Sequence, residues 1–563
     1  MRASVHSKSS YCKLPSIQKR NALSLNGNYV GTGGDHQQED DEERNSRPQP
    51  LKQTRKTVTQ RSQSLAGRDV VIFSRKVGGQ KSLGSRKRRP ATQKKEFYRY
   101  CILPGNNSRA VINAFRSRPW WATFHAKPAH HGGGGGGPRG PCSKKKPSSA
   151  PSGLGQQEAS GRQDPAPEWD LLWEMYRNPK RIKQIPSGAK KALNHFDNNG
   201  CLVTKKGLYK SLKAFVAKRP DLSLESIIPQ TFYLSSSVVG AELGADDEEQ
   251  QEEAEERAAF LEICRAEEAL GRDCFWIVKP ASMSNRGMGI EVKPGGEEVL
   301  ALVDRPLKSG DRRRFGWIVQ RYMMNPLLVR GRKFDVRCWV LLVARPPPPR
   351  RRGSGGGGGK RRPGLAAHLF REGYVRTSSA RFDARRDRLG DKFIHLTNDA
   401  VQNKGKDYGK YEAGNKMSFE EFQAYIDETY DGKANYVEEH MLPGIKELAR
   451  LSVEAVALEI NKSRRKCCFE LLGYDFMIDD NFQISLIEVN SNPCLEFSSP
   501  MLEDYITNLL SNVIEIAVDS IFLPPKKYQE QYHTGRTFQV FENKLELIYD
   551  DIRSNDAEDI DGS

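Results

Sequence analysis

The sequence predicts an α+β fold, and three observations carry that reading. Strand-length apolar runs and helical stretches are mixed along the chain, without the strict strand–helix–strand alternation of a doubly wound parallel sheet. Two strong runs, Phe469–Ile478 and Phe482–Val489, are joined by Asp479-Asp480-Asn481 and read as an antiparallel pair. Leu502–Ile521 then repeats apolar residues at helical spacing, as a helix closing the ordered part does. Composition bounds how much folds. The 563 residues leave room for two to four domains, but only 37% are hydrophobic and 28% are charged, so part of the chain lacks the apolar surface to order itself.

Taken in order, residues 1–93 form a polar, basic stretch with clusters such as Arg86–Arg89, predicted to be a disordered tail. An N-terminal lobe spans 94–235. It starts with a strand over Phe97–Leu103, a turn at Pro104-Gly105-Asn106-Asn107 and a helix capped by Ser108, followed by Trp120-Trp121. A Gly/Lys-rich insert occupies about 126–166; helical spacing resumes at Trp169 and ends in the strand Gln230–Leu234. Residues 236–270, with the run Asp246–Glu256, read as an acidic linker or a solvated helix face. A central lobe over 271–394 holds strand–loop–strand at Phe275–Val292, then strands at Trp317–Tyr322 and Phe334–Ala344, and a β-run at His368–Val375. Its Arg/Pro/Gly insert at 345–364 reads as the expanded turn of a hairpin, since surface loops lengthen at small entropic cost. Residues 395–525 form a last lobe with helices at Met417–Tyr430 and Pro443–Ile460, and 526–563 read as a tail.

The balance of 89 Lys and Arg against 71 Asp and Glu, a net charge of +18, asks for an acidic partner. No apolar run approaches the ~20 residues of a membrane span; the longest, Cys338–Ala344, is strand-sized. Ten cysteines without a CxxC pair indicate reduced intracellular thiols rather than a zinc cage or a disulfide framework. The first residues are basic, Ser-rich and free of acid until Asp35, which loosely resembles an organelle transit peptide; a long basic tail has the same composition.

Three segments carry chemistry. In Gly331-Arg332-Lys333-Phe334-Asp335-Val336-Arg337-Cys338, strand periodicity puts Lys333, Asp335 and Arg337 on one face and apolar residues on the other. Such a charged stripe on a core strand is either a row of ion pairs or a site, because burying unpaired charge costs several kcal/mol. In the paired strands, Asp475 interrupts an apolar run, and Glu488 and Asn490 share one face of the neighbour. Two carboxylates and an amide oxygen suit Mg²⁺ better than zinc. In Trp276-Ile277-Val278-Lys279-Pro280, a lysine ends an apolar strand before a loop with Ser282, Ser284, Arg286, Gly287 and Gly289. That pattern fits a phosphate-covering flap or a plain hairpin with a basic turn.

In this order the segments resemble the ATP-grasp ligases, and more closely the tubulin–tyrosine ligase and tubulin–tyrosine-ligase-like family. The resemblance runs from about Glu96 to Pro525, outside the two inserts and the acidic run. Its landmarks include Asn194-His195-Phe196, Lys279-Pro280, Gln320-Arg321-Tyr322, Arg332–Arg337, His395-Leu396-Thr397-Asn398 and Glu488-Val489-Asn490-Ser491-Asn492-Pro493. It implies an ATP-grasp fold with ATP and Mg²⁺ as cofactors. By the same resemblance Lys279 would meet the ATP phosphates, and Gln320, Arg321, Tyr322 and Met323 would be the adenine hinge, with Lys333 and Asp335 also at the nucleotide. Asn398 would sit by the phosphates, Asp475, Glu488 and Asn490 would hold the metal, and Arg337 would face the donor carboxylate or an acyl phosphate. Arg337 and Glu488 are the residues expected to carry catalysis.

The implied reaction activates a glutamate carboxylate of the acceptor as an acyl phosphate, which the amino group of a free amino acid then displaces. The expected acceptor is the acidic tail of tubulin or microtubules, and the expected donor is tyrosine or glutamate. A monomer in the cytoplasm or at the cytoskeleton, cilium or basal body is expected, with neither nucleic acid nor membrane as a partner. Two rival readings stand beside this one: a non-catalytic basic microtubule-binding relative, and an ATP-grasp ligase acting on another substrate.

Overall fold

The computed structural model describes residues 97–105, 107–124, 169–186, 188–235, 247–281, 287–305, 316–345, 363–529 and 542–551. The readings of the basic tail, of both low-complexity inserts, and of Ser282, Ser284 and Arg286 lie outside these.

Among the described residues the fold is a mixture of helices and three sheets, as the α+β reading expects. In the first sheet, β1 (Tyr98–Ile102), β2 (Trp121–Thr123), β3 (Leu171–Trp173) and β4 (Ala192–Leu193) lie parallel in the order β2-β1-β3-β4. The second is antiparallel, β5 (Thr231–Leu234), β6 (Phe275–Pro280), β7 (Glu291–Pro294) and β8 (Trp317–Arg321), ordered β5-β8-β6-β7.

The third and largest sheet is built around β10 (Arg332–Arg345), which the short β9 (Leu328–Val329) precedes. β11 (Gly364–Phe370), β12 (Tyr374–Arg381) and β14 (Phe469–Ile478) all pair with β10 antiparallel. β13 (Lys416–Ser418) joins β12, β15 (Ile484–Ser491) joins β14, and β16 (Leu545–Asp550) joins β11. Arg345 is the register partner of Gly364, so the chain leaves β10 and returns on β11 across the second insert, as the expanded-hairpin reading requires.

Alternation along β10 organises the core. Phe334, Val336, Cys338, Val340 and Leu342 pack on one face, against helices Lys205–Val216 and Leu442–Val456. On the opposite face Trp339, Leu341 and Val343 pack against helix Pro500–Ile514 and the first sheet, whereas Lys333, Asp335 and Arg337 are polar. A single strand face is thus apolar over its second half and charged over its first.

Five sequence expectations need correction. The stretch read as helical from Trp169 up to the strand Gln230–Leu234 contains the paired strands β3 and β4. Residues 247–269 are a helix rather than a linker. Glu256 and Phe260 are buried on it, and Phe260 packs on Phe232 and Trp276 of the second sheet. The supposed C-terminal tail returns as β16, whose Leu545 is buried against the sheet. The run His368–Val375 is two strands, β11 and β12, separated by Arg371-Glu372-Gly373. Asn107 rather than Ser108 stands at the N-cap of helix Ser108–Arg116.

Candidate functional site

A cavity of about 600 Å³ opens between the second sheet and the polar half of the third. Lys279, Gln320, Arg321, Tyr322, Met323, Lys333, Asp335, Arg337, Asn398, Asp475, Glu488 and Asn490 all line it, although they are spread over more than two hundred positions. Strand alternation does the gathering: odd positions of β10 and β14 face the cavity, and Arg337 stands directly across from Asp475.

From the second sheet, Lys279 and Gln320 project as a bonded pair. Lys279 Nζ donates to Gln320 Oε1 at 2.8 Å, and Gln320 Nε2 donates to Thr231 Oγ1 at 3.0 Å. Burial pushes the Lys279 ammonium down to about 8; nearby Lys205 pushes the same way and Glu488 opposes. Lys333 is lowered further, to about 7, by burial and then by Lys279. Its Nζ lies 4.4 Å from the Tyr322 ring centroid and donates to the Tyr322 hydroxyl at 3.2 Å; that hydroxyl is also bonded to His395 Nδ1 at 2.7 Å. Two desolvated lysines on facing sheets make the cavity strongly attractive to an anion.

From the third sheet comes a chain of ion pairs. Arg337 Nε and Nη2 donate to the two oxygens of Asp475 at 2.5 and 2.9 Å. Arg376 Nε and Nη2 donate to Asp335 at 2.6 and 2.7 Å, and Arg376 Nη2 also lies 3.0 Å from Asp475. Thr397 Oγ1 donates to Asp335 at 2.6 Å. Burial alone would raise the Asp475 carboxyl, but Arg337 and Arg376 hold it far below the usual carboxylate range.

Asn490 Nδ2 lies 3.2 Å from Asp475 Oδ2 and 3.0 Å from Glu488 Oε1, so one side chain bridges both carboxylates. Turned about its amide, Asn490 would present its oxygen beside Glu488, an all-oxygen pair suited to a hard divalent cation. Among the described residues no cluster of three or more His, Cys, Asp or Glu is arranged for a metal, and both Asp475 oxygens already accept from guanidinium groups. Of the three expected metal ligands, Asp475 is thus engaged by the arginines, and Glu488 and Asn490 are the oxygen donors left for a hard cation.

One expected side chain is placed elsewhere. Arg321 borders the cavity, but its guanidinium is engaged away from Lys279 and Gln320, 5.3 Å from the Trp276 ring and 3.5 Å from Glu267. Two basic residues that pair with the site's carboxylates escaped the reading of the sequence. Arg376 belongs to a strand, Tyr374-Val375-Arg376-Thr377, whose alternation alone could have flagged it. Lys205, at the first turn of helix Lys205–Val216, comes within 3.8 Å of Glu488 from a lobe with no local signal of its own.

Comparison with known proteins bears on the whole assembly. The chain is similar to three tubulin glycylases of Tetrahymena thermophila, among them 3C (31% identical over 280 residues, 49% of this chain and 23% of the relative) and 3D (34% over 252 residues, 44% and 21%). It is also similar to the probable alpha-tubulin polyglutamylase Ttll1 of the same organism, 27% identical over 376 residues, covering 62% of this chain and 78% of the relative. A human relative, the inactive polyglycylase TTLL10, is 30% identical over 257 residues, 44% of this chain and 35% of the relative. The chain spans about a quarter or less of the length of the two glycylases. The model of the tubulin-tyrosine ligase family matches residues 183–347 and 362–529, more than half of the chain and every strand that lines the cavity. The chain belongs to the tubulin-tyrosine ligase family.

Proposed function

We propose that the protein is an ATP-dependent ligase that joins an amino acid to a carboxylate of a tubulin tail, and that the cavity between the second and third sheets is its active site. The observation that carries this is the convergence on one cavity of two desolvated lysines, the Arg337–Asp475–Arg376–Asp335 chain and the Glu488–Asn490 pair. The two sheets would be the facing halves of an ATP-grasp. Relatives named as glycylases and a polyglutamylase favour glycine or glutamate as donor over the expected tyrosine.

When bound, ATP would supply the phosphoryl group that activates the acceptor carboxylate, with Mg²⁺ neutralising the phosphate charge. Lys279, oriented by Gln320, binds and fixes phosphate oxygens through charge-assisted bonds. Lys333 faces the same anion from the opposite sheet. Glu488 and Asn490 hold the cation. Arg337 has Nε and Nη2 committed to Asp475, and this clamps its plane so that the Nη1 edge beside Gly473 is left to orient a carboxylate. Such a site works by positioning and charge neutralisation, without a protein nucleophile. The net charge of +18 favours encounter with an acidic tail.

The test is to incubate the full chain with tubulin, Mg-ATP and labelled glycine, glutamate or tyrosine in separate reactions. Label on tubulin in the glycine or glutamate arm, dependent on ATP, is expected. Label only with tyrosine overturns the donor assignment. Binding to tubulin without label in any arm overturns the enzyme reading in favour of a non-catalytic relative.

A further inference from the structure

Asn107 occupies the N-cap of helix Ser108–Arg116, yet its side chain makes no capping bond. An asparagine at that position ordinarily accepts from an N–H of the first turn. Here it is only 3% exposed and is aimed across the molecule at a loop nearly four hundred residues away. Asn107 Nδ2 donates to the Pro493 carbonyl at 2.6 Å and to Asn492 Oδ1 at 2.8 Å, and Asn107 Oδ1 accepts from Leu495 N at 3.0 Å. One amide thus satisfies a backbone carbonyl and a backbone N–H of the same loop, much as a neighbouring strand would.

That loop follows β15 directly and needs holding. Asn492 has φ +49°, in the left-handed region that asparagine enters more readily than other residues bearing a Cβ, and it turns the chain back. The loop then folds back over Gly473 of β14. A Cβ on Gly473 would lie 2.9 Å from Pro493 Cβ and 3.3 Å from Arg337 Nη1, so this close stacking is open only to glycine. Asn492, Pro493 and Cys494 line the cavity, at the Arg337 end rather than the Lys279–Gln320 end, while Leu495 is buried in the core that also holds Phe115 of the Asn107-capped helix.

We propose that Asn107 is a positioning residue. It latches the Asn492–Leu495 loop as the cavity wall beside Arg337, and so aligns the amino-acid or acceptor substrate rather than the nucleotide. This rests on reading the cavity as a ligase site. The latch brings both a donor and an acceptor to this loop from the N-terminal lobe. Seating of that lobe is thereby coupled to the shape of the site.

The test uses the full chain and two variants, Asn107→Ser and Asn107→Asp. Serine can cap the helix but reaches neither Pro493 nor Leu495. Aspartate keeps the acceptor for Leu495 N but turns a second oxygen toward the Pro493 carbonyl. Hydrogen–deuterium exchange should show the Leu495 amide opening roughly tenfold faster in Asn107→Ser, as loss of a buried hydrogen bond predicts, and less so in Asn107→Asp. Amides of β14 and of helix Ser108–Arg116 should be unchanged. The KM for the amino-acid donor should rise about fivefold or more, while the Kd of ATP stays at the wild-type value.

Unchanged exchange at Leu495 overturns the latch. Faster exchange with unchanged donor KM and turnover overturns its role in alignment, and so does an equal loss of ATP affinity, which would mark general loosening. A wild-type chain that labels no tubulin defeats the ligase reading and the alignment role with it, while the exchange result still decides whether Asn107 holds the loop.

Discussion

Strand β14 carries two buried carboxylates, Glu470 and Asp475, five residues apart on opposite faces of one sheet. Glu470 is closed in. Its oxygens accept from Asn199 Nδ2 at 2.7 Å, His195 Nδ1 at 3.0 Å and Phe196 N at 3.1 Å, and it is 1% exposed. His195 places its other nitrogen 3.0 Å from the Glu174 carbonyl, so both ring nitrogens face acceptors, an arrangement that favours the imidazolium. Burial works against that charge, but the bond to Glu470 outweighs it and the His195 pKa is raised. Asp475 is equally buried and also paired with cations, yet its partners stand at the edge of a cavity. The difference lies in where the network ends. Glu470 ties the segment after β4 to β14 and leaves nothing over, whereas the chain through Asp475 ends in guanidinium and amide groups that face open space.

The comparison is sharpest if the two faces can be broken separately. Glu470→Gln should cost about 1–3 kcal/mol of stability, because one amide oxygen cannot serve the donors of Asn199, His195 and Phe196 that the carboxylate now accepts from. The folded fraction should keep wild-type turnover and ATP affinity, which denaturant titration beside activity per folded molecule would measure. A loss of turnover in the folded fraction would erase the distinction between the faces.

The converse is Glu488→Gln, on the cavity face of β15. It removes a charge but almost no volume, and should lower ligation on the order of a hundredfold, roughly 3 kcal/mol, with the melting temperature close to wild type. Wild-type turnover would remove Glu488 from the site. Lys279→Ala should weaken nucleotide use by about 1.5–3 kcal/mol, through loss of charge-assisted contacts, and would appear in the KM for ATP rather than for the donor. A shift confined to the donor would place the phosphates elsewhere.

The last effect, a pH dependence with no direct bearing on the cavity, separates two histidines. His368, on β11, is buried and lowered from 6.5 to about 4, by burial and then by Arg345. Between these values the unfolded chain takes up a proton that the folded chain refuses. This site therefore lowers stability as pH falls from 6.5 toward 4, by up to ~1.4 kcal/mol per pH unit, and has no effect above 6.5. His195 acts in the opposite sense: its raised pKa adds stability below 6.5 that is lost as pH rises through the folded value. Urea midpoints of the wild type and His368→Gln across pH 4.5–7.5 should diverge only on the acid side; parallel curves would remove His368 from the account.

Much of the site was legible in one dimension, for a local reason. Period two puts Lys333, Asp335 and Arg337 on one face of β10, and Glu488 with Asn490 on one face of β15, whatever lies around them. Spacing could not say what pairs with them. Arg376 engages both Asp335 and Asp475 from a strand in which it looks like any other arginine, and the Arg321 guanidinium belongs to a recognisable hinge yet is engaged by Trp276 and Glu267. The acidic run misled through composition. A helix whose residues are mostly charged still docks when a few positions, such as Glu256 and Phe260, find a buried partner, and Tyr209 donates to Glu256 at 2.6 Å.

By itself the sequence determined the α+β class, the strands that line the cavity, and which residues share a strand face, because these follow from backbone geometry over a few residues. Only the tertiary structure decided which face met a cavity and which met a closed set of partners. It also decided that Asn107 serves a distant loop rather than its own helix, and that the last strand returns to the central sheet. These depend on pairings across hundreds of residues, whose free energy comes from burying donors and acceptors together, and no local pattern encodes the partner.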